Sequence, residues 1–490
     1  MCIRDRRNTV FATVTGRNDW TSTLPKANRS YFYPSVSGAV VFTQLLQDLN
    51  VMDPDGILSF GKIRASWAKV GKDTSPYETA TSLWPVREML GGMVGIGNNW
   101  SRGNTYLKPE MTKSTEVGLE LRFFNNRLKF DYAYYTNDSY NQIVSPRTTL
   151  ATGYIFCSYN AGNVLNKGME LSISGTPIEN RDWTWETGIN IAGNRGKLEG
   201  LMEGMDIMYV TDVQYTGAKA ASFSGGDFMA IAGNTWQTVK TNTEKADDPN
   251  NKFAGKTILD KNGMPLVDET TIQVGNREPK FSGGWNNTLR WKNLSFNMLW
   301  EFRVGGHVYN GTKLYMTNAG TSLFSAEVRQ QPLIIDGVEN VGTADAPVYE
   351  ERHYEFLPDQ TYEINGVMKS GYNIIKDYYT GTYASNSANY LTKVNSLRLR
   401  TISLSYDVPR AWLAKTKAIK RAVITASANN LLLFTNYDGD PEVAASGAGI
   451  GGSSSVGFDY CGIPATASFS FGINLTCLLY TSPSPRDLST

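Results

Sequence analysis

Histidine, cysteine and long apolar runs are scarce in this chain of 490 residues. The two histidines, His307 and His353, have no metal-ligand partner at a useful spacing, which disfavours a zinc site or a nucleophile–histidine–acid triad. Neither sign of charge is in excess, because 47 Lys and Arg balance 46 Asp and Glu, so a nucleic-acid surface is disfavoured. No apolar stretch approaches the roughly 18 residues of a membrane-spanning helix. If this chain crosses a membrane, it therefore does so as a closed β-barrel.

Aromatic residues are plentiful, at 12% of the chain, and apolar residues alternate with polar ones over long stretches. From Glu116 to Phe123 every second residue is apolar, and a turn at Asn125 leads into a second alternating run, Leu128 to Tyr134. The same pattern recurs on both sides of Lys292. Alternation of period two on both sides of a tight turn predicts antiparallel hairpins. Near Arg400 the alternation changes phase, which predicts a β-bulge.

The sequence predicts an all-β fold of twelve antiparallel strands, joined alternately by tight turns and by long loops. The strands are expected at about residues 8–18, 31–43, 58–70, 114–124, 127–137, 166–176, 183–195, 279–291, 293–304, 393–408, 418–431 and 466–476. The long loops are expected at about residues 71–113, 138–165, 196–278, 305–392 and 432–465. Short periplasmic turns and long extracellular loops are typical of an outer-membrane β-barrel. A soluble β-sandwich would also alternate, but it has no reason to confine its long connections to every second position.

The two ends of the chain are consistent with one short DNA element read in opposite orientations. Codons can be chosen for Met1 to Asp5, followed by the bases AG that begin a codon for Arg6, whose reverse complement encodes Cys477 to Thr481. This element is similar to the adapter of a transposase-based sequencing library. Residues 1–6 and 477–490 are therefore expected to be adapter sequence, and residues 7–476 the C-terminal part of a barrel domain. The signal sequence, an N-terminal plug and the early barrel strands would then be missing.

Two of the four cysteines, Cys157 and Cys461, lie outside these ends, each in a predicted loop. They could form a disulfide in an oxidising compartment or remain reduced. The sequence leaves both possibilities open.

Three carboxylates lie at every second residue of one predicted loop, at Asp438, Asp440 and Glu442. This spacing could ligate calcium from one face, and it resembles half of an EF-hand loop. The distal glutamate of such a loop has no equivalent here. We therefore favour a structured turn over a calcium site, and we expect no bound metal and no cofactor.

Several aromatic residues are predicted to lie in the long loops, among them Trp84, Trp236, Tyr309, Tyr378 and Tyr379. They could stack against sugar rings of a ligand or pack on one another to hold the loops together. For any single residue we favour packing, and for the set as a whole we expect some ligand contact. The chain shows no constellation of catalytic residues, so we do not expect an enzyme.

Several segments, in this order and spacing, resemble the C-terminal barrel of the SusC/RagA-like TonB-dependent outer-membrane transporters. They include Thr15-Gly16-Arg17-Asn18-Asp19, Phe32-Tyr33-Pro34-Ser35-Val36, Lys62-Ile63-Arg64-Ala65-Ser66-Trp67, Leu107-Lys108-Pro109-Glu110, Asn160-Ala161-Gly162, Asn166-Lys167-Gly168-Met169-Glu170, Tyr406-Asp407-Val408-Pro409 and Asn429-Asn430-Leu431-Leu432 with Thr435-Asn436-Tyr437-Asp438-Gly439-Asp440-Pro441-Glu442. Each motif alone is weak, but together they extend over almost the whole chain.

The resemblance implies a 22-stranded barrel in the outer membrane, occluded by a plug that opens when the TonB–ExbB–ExbD system pulls on it. It also implies a SusD-like surface lipoprotein as partner, outer-membrane lipid around the barrel, and import of oligosaccharides or peptides. The alternatives are a siderophore or cobalamin receptor with the same energy source, and a passive porin. A secreted carbohydrate-active enzyme is disfavoured by the lack of catalytic residues.

Overall fold

The computed structural model describes residues 2–6, for which only the backbone is considered, 9–51, 56–86, 95–210, 217–243, 247–414, 419–443 and 456–477. One large sheet dominates these residues. Its strands are β1 (Cys2–Arg6), β2 (Val10–Trp20), β3 (Ser30–Val41), β4 (Leu58–Lys72), β5 (Glu110–Phe123), β6 (Leu128–Val144), β7 (Tyr159–Glu179), β8 (Trp183–Leu201), β9 (Phe281–Trp291), β10 (Leu294–Asn310), β11 (Leu391–Asp407), β12 (Ile419–Thr435) and β13 (Ser468–Cys477). All twelve strands expected from the sequence are confirmed, and β1 is an additional one.

Smaller elements lie in the connections. Short strands are found at Leu83–Val86, Gly95–Asn98, Ser101–Arg102, Phe156–Cys157, Ile207–Tyr209, Ala218–Phe223, Ala230–Gly233, Ile258–Leu259, Ile272–Asn276, Leu333–Asn340, Tyr349–Phe356, Thr361–Ile364, Val367–Ser370 and Phe458–Asp459. The α-helices are α1 (Phe42–Asp48), α2 (Gly311–Asn318), α3 (Leu323–Val328), α4 (Gly371–Asp377), α5 (Tyr383–Ser385) and α6 (Arg410–Leu413), with a π-helix at Tyr378–Thr382 and 3-10 turns at Lys26–Asn28, Leu150–Thr152, Pro249–Phe253 and Ser387–Tyr390. In the part of the chain described here, no helix has the length and apolarity needed to cross a membrane.

Each strand of the large sheet pairs antiparallel with the next strand along the chain, from β1 to β13. Among the described residues β1 pairs only with β2, and β13 only with β12, so the sheet is an open wall. Tight turns join β5 to β6, β7 to β8 and β9 to β10, whereas the connections from β3 to β4 and from β11 to β12 contain the helices α1 and α6. Two of them, at Asn125-Asn126 and at Lys292, contain residues with positive φ, of 50°, 69° and 49°. Left-handed backbone of this kind matches the twist of a short hairpin connection.

The two faces of the wall differ in chemistry, because the side chains of each strand point alternately to either face. Val36 pairs with Val14 on one side and with Trp67 on the other, so the three side chains lie together on one face. Between 40% and 52% of each is exposed, as expected for apolar residues in contact with lipid. On the opposite face Ser37 pairs with Ser66. The outer face is thus apolar and the inner face polar.

The predicted β-bulge at Arg400 is confirmed. Leu399 pairs with Trp300 and with Leu432, and the next paired residue of the strand is Thr401, so Arg400 is skipped in both ladders. The extra residue restores the inward and outward facing of the strand on both sides of the phase change.

The structure corrects the expected strand ends. The seventh strand is longer than the predicted 166–176 and occupies Tyr159–Glu179, while β6 continues to Val144, so the loop expected at 138–165 is short. Alternation guided the prediction, and it fades where strands leave the bilayer and both faces contact water. The predicted loops at 196–278 and 305–392 contain strands and helices of their own.

Candidate functional site

An ion-pair group lies on the inner face of the wall, across three neighbouring strands. The guanidinium of Arg64 on β4 pairs with both carboxylate oxygens of Asp131 on β6, at 2.9 and 3.1 Å, and its Nε lies 3.4 Å from Glu116 Oε1 on β5. Gly118 lies between them, and a Cβ there would come within 2.5 Å of the Arg64 guanidinium carbon. The absence of a side chain at Gly118 therefore lets Arg64 reach across β5.

This group opens onto a recess of about 500 Å³ in the inner wall. Its lining is mostly polar or small and includes Glu170, Ser172, Asn190, Ser282, Gly284 and Glu301. Glu170 forms no ion pair with any described residue and is exposed to the lumen. Carboxylates, amides and hydroxyls on a rigid sheet provide hydrogen-bond partners for a polar solute or for a protein segment in the lumen.

The two longest loops, 202–280 and 311–390, fold together on the side of the wall opposite the tight turns, and we call their described residues the loop module. Ile258–Leu259 of the first pairs with Val338–Glu339 of the second. A second connection joins Ser387 to Asn234, where the Ser387 backbone N–H donates to the Asn234 carbonyl at 2.9 Å. The first loop thus adds a strand to a sheet of the second loop.

The loop module has its own apolar cores. Leu259, Leu333, Ile335, Phe356, Ile374 and Ile375 form one, and Ala218, Ala220, Ile231, Tyr309, Leu314, Tyr390 and Phe458 form another. Beside the second core, Phe458–Asp459 returns from the last long loop and pairs with Tyr309–Asn310 at the end of β10. Three loops are therefore held together as one packed body above the lumen.

Three of the five candidate aromatic residues lie inside this body. Tyr378 and Tyr379 are in edge contact with ring centroids 5.0 Å apart, and Tyr379 lies 5.3 Å from Tyr383. Tyr383 contacts Tyr390, which contacts Tyr309, so the rings form a continuous chain. Burial raises the pKa of the Tyr378 hydroxyl above its ordinary value. In the structure these side chains hold the loops together. Tyr309 is the penultimate residue of β10 rather than a loop residue.

The other two candidates, Trp84 and Trp236, lie apart from this chain of rings. Trp84 is 63% exposed on the hairpin formed by Leu83–Val86 and Gly95–Asn98. Trp236 is partly buried and forms an isolated bridge with Val267. The five residues therefore do not form a single ligand platform, and a role in ligand contact remains a proposal for Trp84 in particular.

Two of the candidate carboxylates, Asp440 and Glu442, both pair with Arg398, and Asp438 lies apart from them. Asp440 is buried, at 8% exposure, and pairs with the equally enclosed Arg398, while its other oxygen accepts from the Ala465 N–H at 3.1 Å. Glu442 accepts from Arg400 Nη2 at 2.6 Å. Asp438 is exposed, 3.7 Å from Lys313. No group of three potential metal ligands occurs among the residues that the structure describes.

Arg398, Arg400 and Glu301 are the site residues that sequence reasoning missed. Arg400, on the bulge, joins Glu301 of the inner wall to Glu442 of the last long loop. This loop is thereby fixed to the top of β10 and β11. The sequence did show two arginines on either side of Leu399, close to the point where the apolar alternation changes phase. It could not reveal the carboxylates that pair with them, because these are distant in the chain.

Cys157 and Cys461 are both free in the structure, the first buried and the second exposed. Of the two possibilities that the sequence left open, this structure has the unpaired thiols and not the disulfide.

A one-layer antiparallel wall with an apolar outer face, a polar inner face and its long loops on one side defines part of an outer-membrane β-barrel. Residues 8–263 match the family model described as "TonB dependent receptor-like, beta-barrel". The chain belongs to this family of TonB-dependent receptors, which are outer-membrane receptors and transporters rather than enzymes.

Individual relatives agree with this assignment. TonB-dependent receptor P3 of Formosa agariphila is 27% identical over 94% of this chain and 43% of its own length. TonB-dependent receptor SusC of Bacteroides thetaiotaomicron is 24% identical over 96% of this chain and 42% of its own length. The chain thus spans less than half of the length of these relatives, and the resemblance to SusC/RagA-like proteins is confirmed.

Among solved structures, the RagAB peptide importer in its closed-closed state matches 95% of this chain and 46% of its own, with a TM-score of 0.68 and 19% identity. The RagAB peptide transporter gives a TM-score of 0.66 and 20% identity. At this identity the agreement concerns the fold.

Proposed function

We propose that the full-length protein imports oligosaccharides or peptides across the bacterial outer membrane, driven by TonB–ExbB–ExbD and together with a SusD-like surface lipoprotein. The observation that carries this proposal is the combination of a polar inner wall and a folded loop module above it. A passive pore needs a polar wall but has no use for loops with cores of their own. The similarity to the RagAB peptide importer supports the peptide class, and the oligosaccharide class and the lipoprotein partner rest on the resemblance to SusC/RagA-like transporters.

The test is uptake in the source bacterium. Deletion of the full-length gene should abolish growth on one oligosaccharide or peptide mixture as sole nutrient, and the unmodified gene on a plasmid should restore it. Growth that persists after TonB is removed would indicate a passive porin. A deletion strain that grows on all such nutrients but fails under iron or cobalamin limitation would indicate a chelate receptor.

The partner is tested separately by affinity purification of the full-length protein from outer membranes in mild detergent. A SusD-like lipoprotein in stoichiometric amount is expected. Its absence, with uptake intact, would remove the lipoprotein from the proposal while leaving energised transport in place.

A further inference from the structure

The outer face of the wall contains a recess of about 730 Å³ close to the tight turns. Its lining includes Leu128, Ile173, Gly175, Thr187, Ile189 and Trp285. Ile173 pairs with Ile189, which in turn pairs with Trp285, so these three side chains lie in one row of the apolar face. The recess therefore opens towards the hydrocarbon of the membrane and not towards the lumen.

Small residues in the middle of large ones create this recess. Gly175 pairs with Leu128 on one side and with Thr187 on the other, and a Cβ at Gly175 would come within 2.8 Å of the Arg127 carbonyl oxygen. Across the floor, the Trp285 indole N–H donates to Thr187 Oγ1 at 3.0 Å. This bond holds the indole as one side of the recess.

A positive charge lies at the mouth of the recess. Arg127, in the tight turn after β5, is exposed and lines the recess, and its Nη2 donates to the Pro177 carbonyl at 3.3 Å. Arg127 forms no ion pair with any acidic residue that the structure describes. A guanidinium with free donors is well suited to a phosphate, which it can bind through two parallel hydrogen bonds.

The depth of the recess matches one leaflet of the membrane. The stacked pair Trp183 and Trp291, with centroids 5.7 Å apart, marks the aromatic girdle at the tight-turn side. Ile189 lies six positions further along the same strand than Trp183. Six residues extend about 20 Å along a strand, or about 14 Å in depth at a tilt of roughly 45°. Half of the hydrocarbon core is about 15 Å.

We propose that this recess binds one glycerophospholipid of the periplasmic leaflet, with its phosphate on Arg127 and one acyl chain along Gly175 and Thr187 towards Trp285. The lipid fills a surface that the protein itself leaves uncovered in the wall. The proposal depends on the tight turns facing the periplasm, as family barrels imply, and not on which nutrient is transported.

The test is native mass spectrometry of the full-length protein, delipidated in detergent and titrated with palmitoyl-oleoyl-phosphatidylglycerol. One lipid should remain bound at collision energies that remove all others. Arg127→Gln should lower the retained fraction roughly tenfold, because a charge-assisted bond to the phosphate is lost. Thr187→Phe, which fills the recess, should lower it to a similar extent.

A matched variant serves as the control. Arg181→Gln removes an exposed arginine of the neighbouring tight turn that does not line the recess. It should retain the lipid. Heat-modifiable migration on gels establishes that each variant is folded, and the arginine pair remains decisive if Thr187→Phe fails to fold.

The proposal is overturned if the unmodified protein retains no lipid, or if Arg181→Gln loses as much as Arg127→Gln. Equal retention of dioleoylglycerol, which has no phosphate, would contradict the role of Arg127. Preferential retention of lipid A would assign the recess to the other leaflet and would also overturn it.

Discussion

The loop module and the barrel wall contain the same kinds of apolar side chain, yet they cover them in different ways. In the loop module, Ile231 and Ile375 are almost completely enclosed by other side chains of the module. In the wall, Ile63 and Trp67 remain nearly half exposed on the outer face. The wall is one sheet thick, so it has no second layer of protein to bury its apolar face. Lipid takes the place of that layer.

The difference shows which forces hold each region. The loop module depends on complementary packing, where each removed methylene leaves a cavity. The wall depends on its ladder of backbone hydrogen bonds and on the match between its outer face and the membrane. Mutations of the same chemical type should therefore have unequal effects in the two regions, and the following predictions concern the full-length protein.

The largest effect is expected for Arg398→Ala. It leaves Asp440 buried without its guanidinium partner, which should lower the free energy of unfolding by about 3–5 kcal/mol. The matched variant Arg64→Ala removes a more exposed ion pair on the inner wall and should cost less than about 1 kcal/mol. Urea unfolding in detergent, followed by circular dichroism, measures both. In the double variant Arg398→Ala/Asp440→Ala much of the loss should be recovered, and failure to recover it would mean that the pair is not the cause.

The next largest effect is the difference between an alanine substitution in a protein core and one on the lipid-facing surface. Ile375→Ala in the loop module should destabilise the module by about 2–5 kcal/mol, because it leaves a cavity in a closed core. Ile63→Ala on the outer face should cost about 1 kcal/mol or less, since lipid chains can fill the space. Hydrogen exchange of the loop amides and urea unfolding of the wall report the two losses. Equal costs would contradict the comparison.

An introduced charge tests which face of the wall contacts lipid and which faces the lumen. Val117→Arg should cost about 2–4 kcal/mol in a bilayer, because the guanidinium would lie in hydrocarbon. Ser172→Arg, on the inner face, should change the stability by less than about 1 kcal/mol. Folding into vesicles at increasing urea concentration measures both variants. A larger penalty at Ser172 would reverse the assignment of the two faces.

The smallest effect concerns alkaline pH. Burial raises the pKa of the Tyr378 hydroxyl in the folded loop module. The folded state is therefore more stable when this hydroxyl is neutral than when it is ionised. The contribution to stability is fully present below the unfolded pKa near 10 and is lost as the pH rises above it, at about 1.4 kcal/mol per pH unit at most. Tyr378→Phe should flatten this part of the pH dependence, measured by protease cleavage of the loops between pH 9 and 11. An unchanged slope would show that Tyr378 is not responsible.

The wall could be predicted from the sequence because its alternation is a property of each strand alone. Glu116 to Phe123 shows the period of two without any knowledge of its neighbours, and the phase change at Arg400 revealed the bulge before its partners were known. Strand β1 was not expected because residues 1–6 were assigned to adapter sequence, and its five residues show no clean alternation.

The loop module could not be predicted in this way, since its strands are stabilised by partners distant in the chain. Leu333–Asn340 pairs with Ile258–Leu259 of another loop, and no local sequence pattern predicts that pairing. For the same reason the sequence favoured a structured turn around Asp440 without revealing its partner, Arg398 on a barrel strand. Tyr309 suggested a ligand-binding aromatic because its sequence position does not reveal its enclosure by Tyr390 and Phe458.

The bulge at Arg400 has a consequence for how such walls can change in evolution. Without that one extra residue, every side chain from Thr401 to Asp407 would move to the opposite face of the wall, so that lipid-facing side chains would face the lumen and lumen-facing ones the lipid. Deletions or insertions of an odd number of residues within a strand should therefore be eliminated unless a second one compensates them, whereas even ones preserve the facing. We therefore expect related barrels to differ in the lengths of their strands by even numbers of residues and in the lengths of their loops by any number.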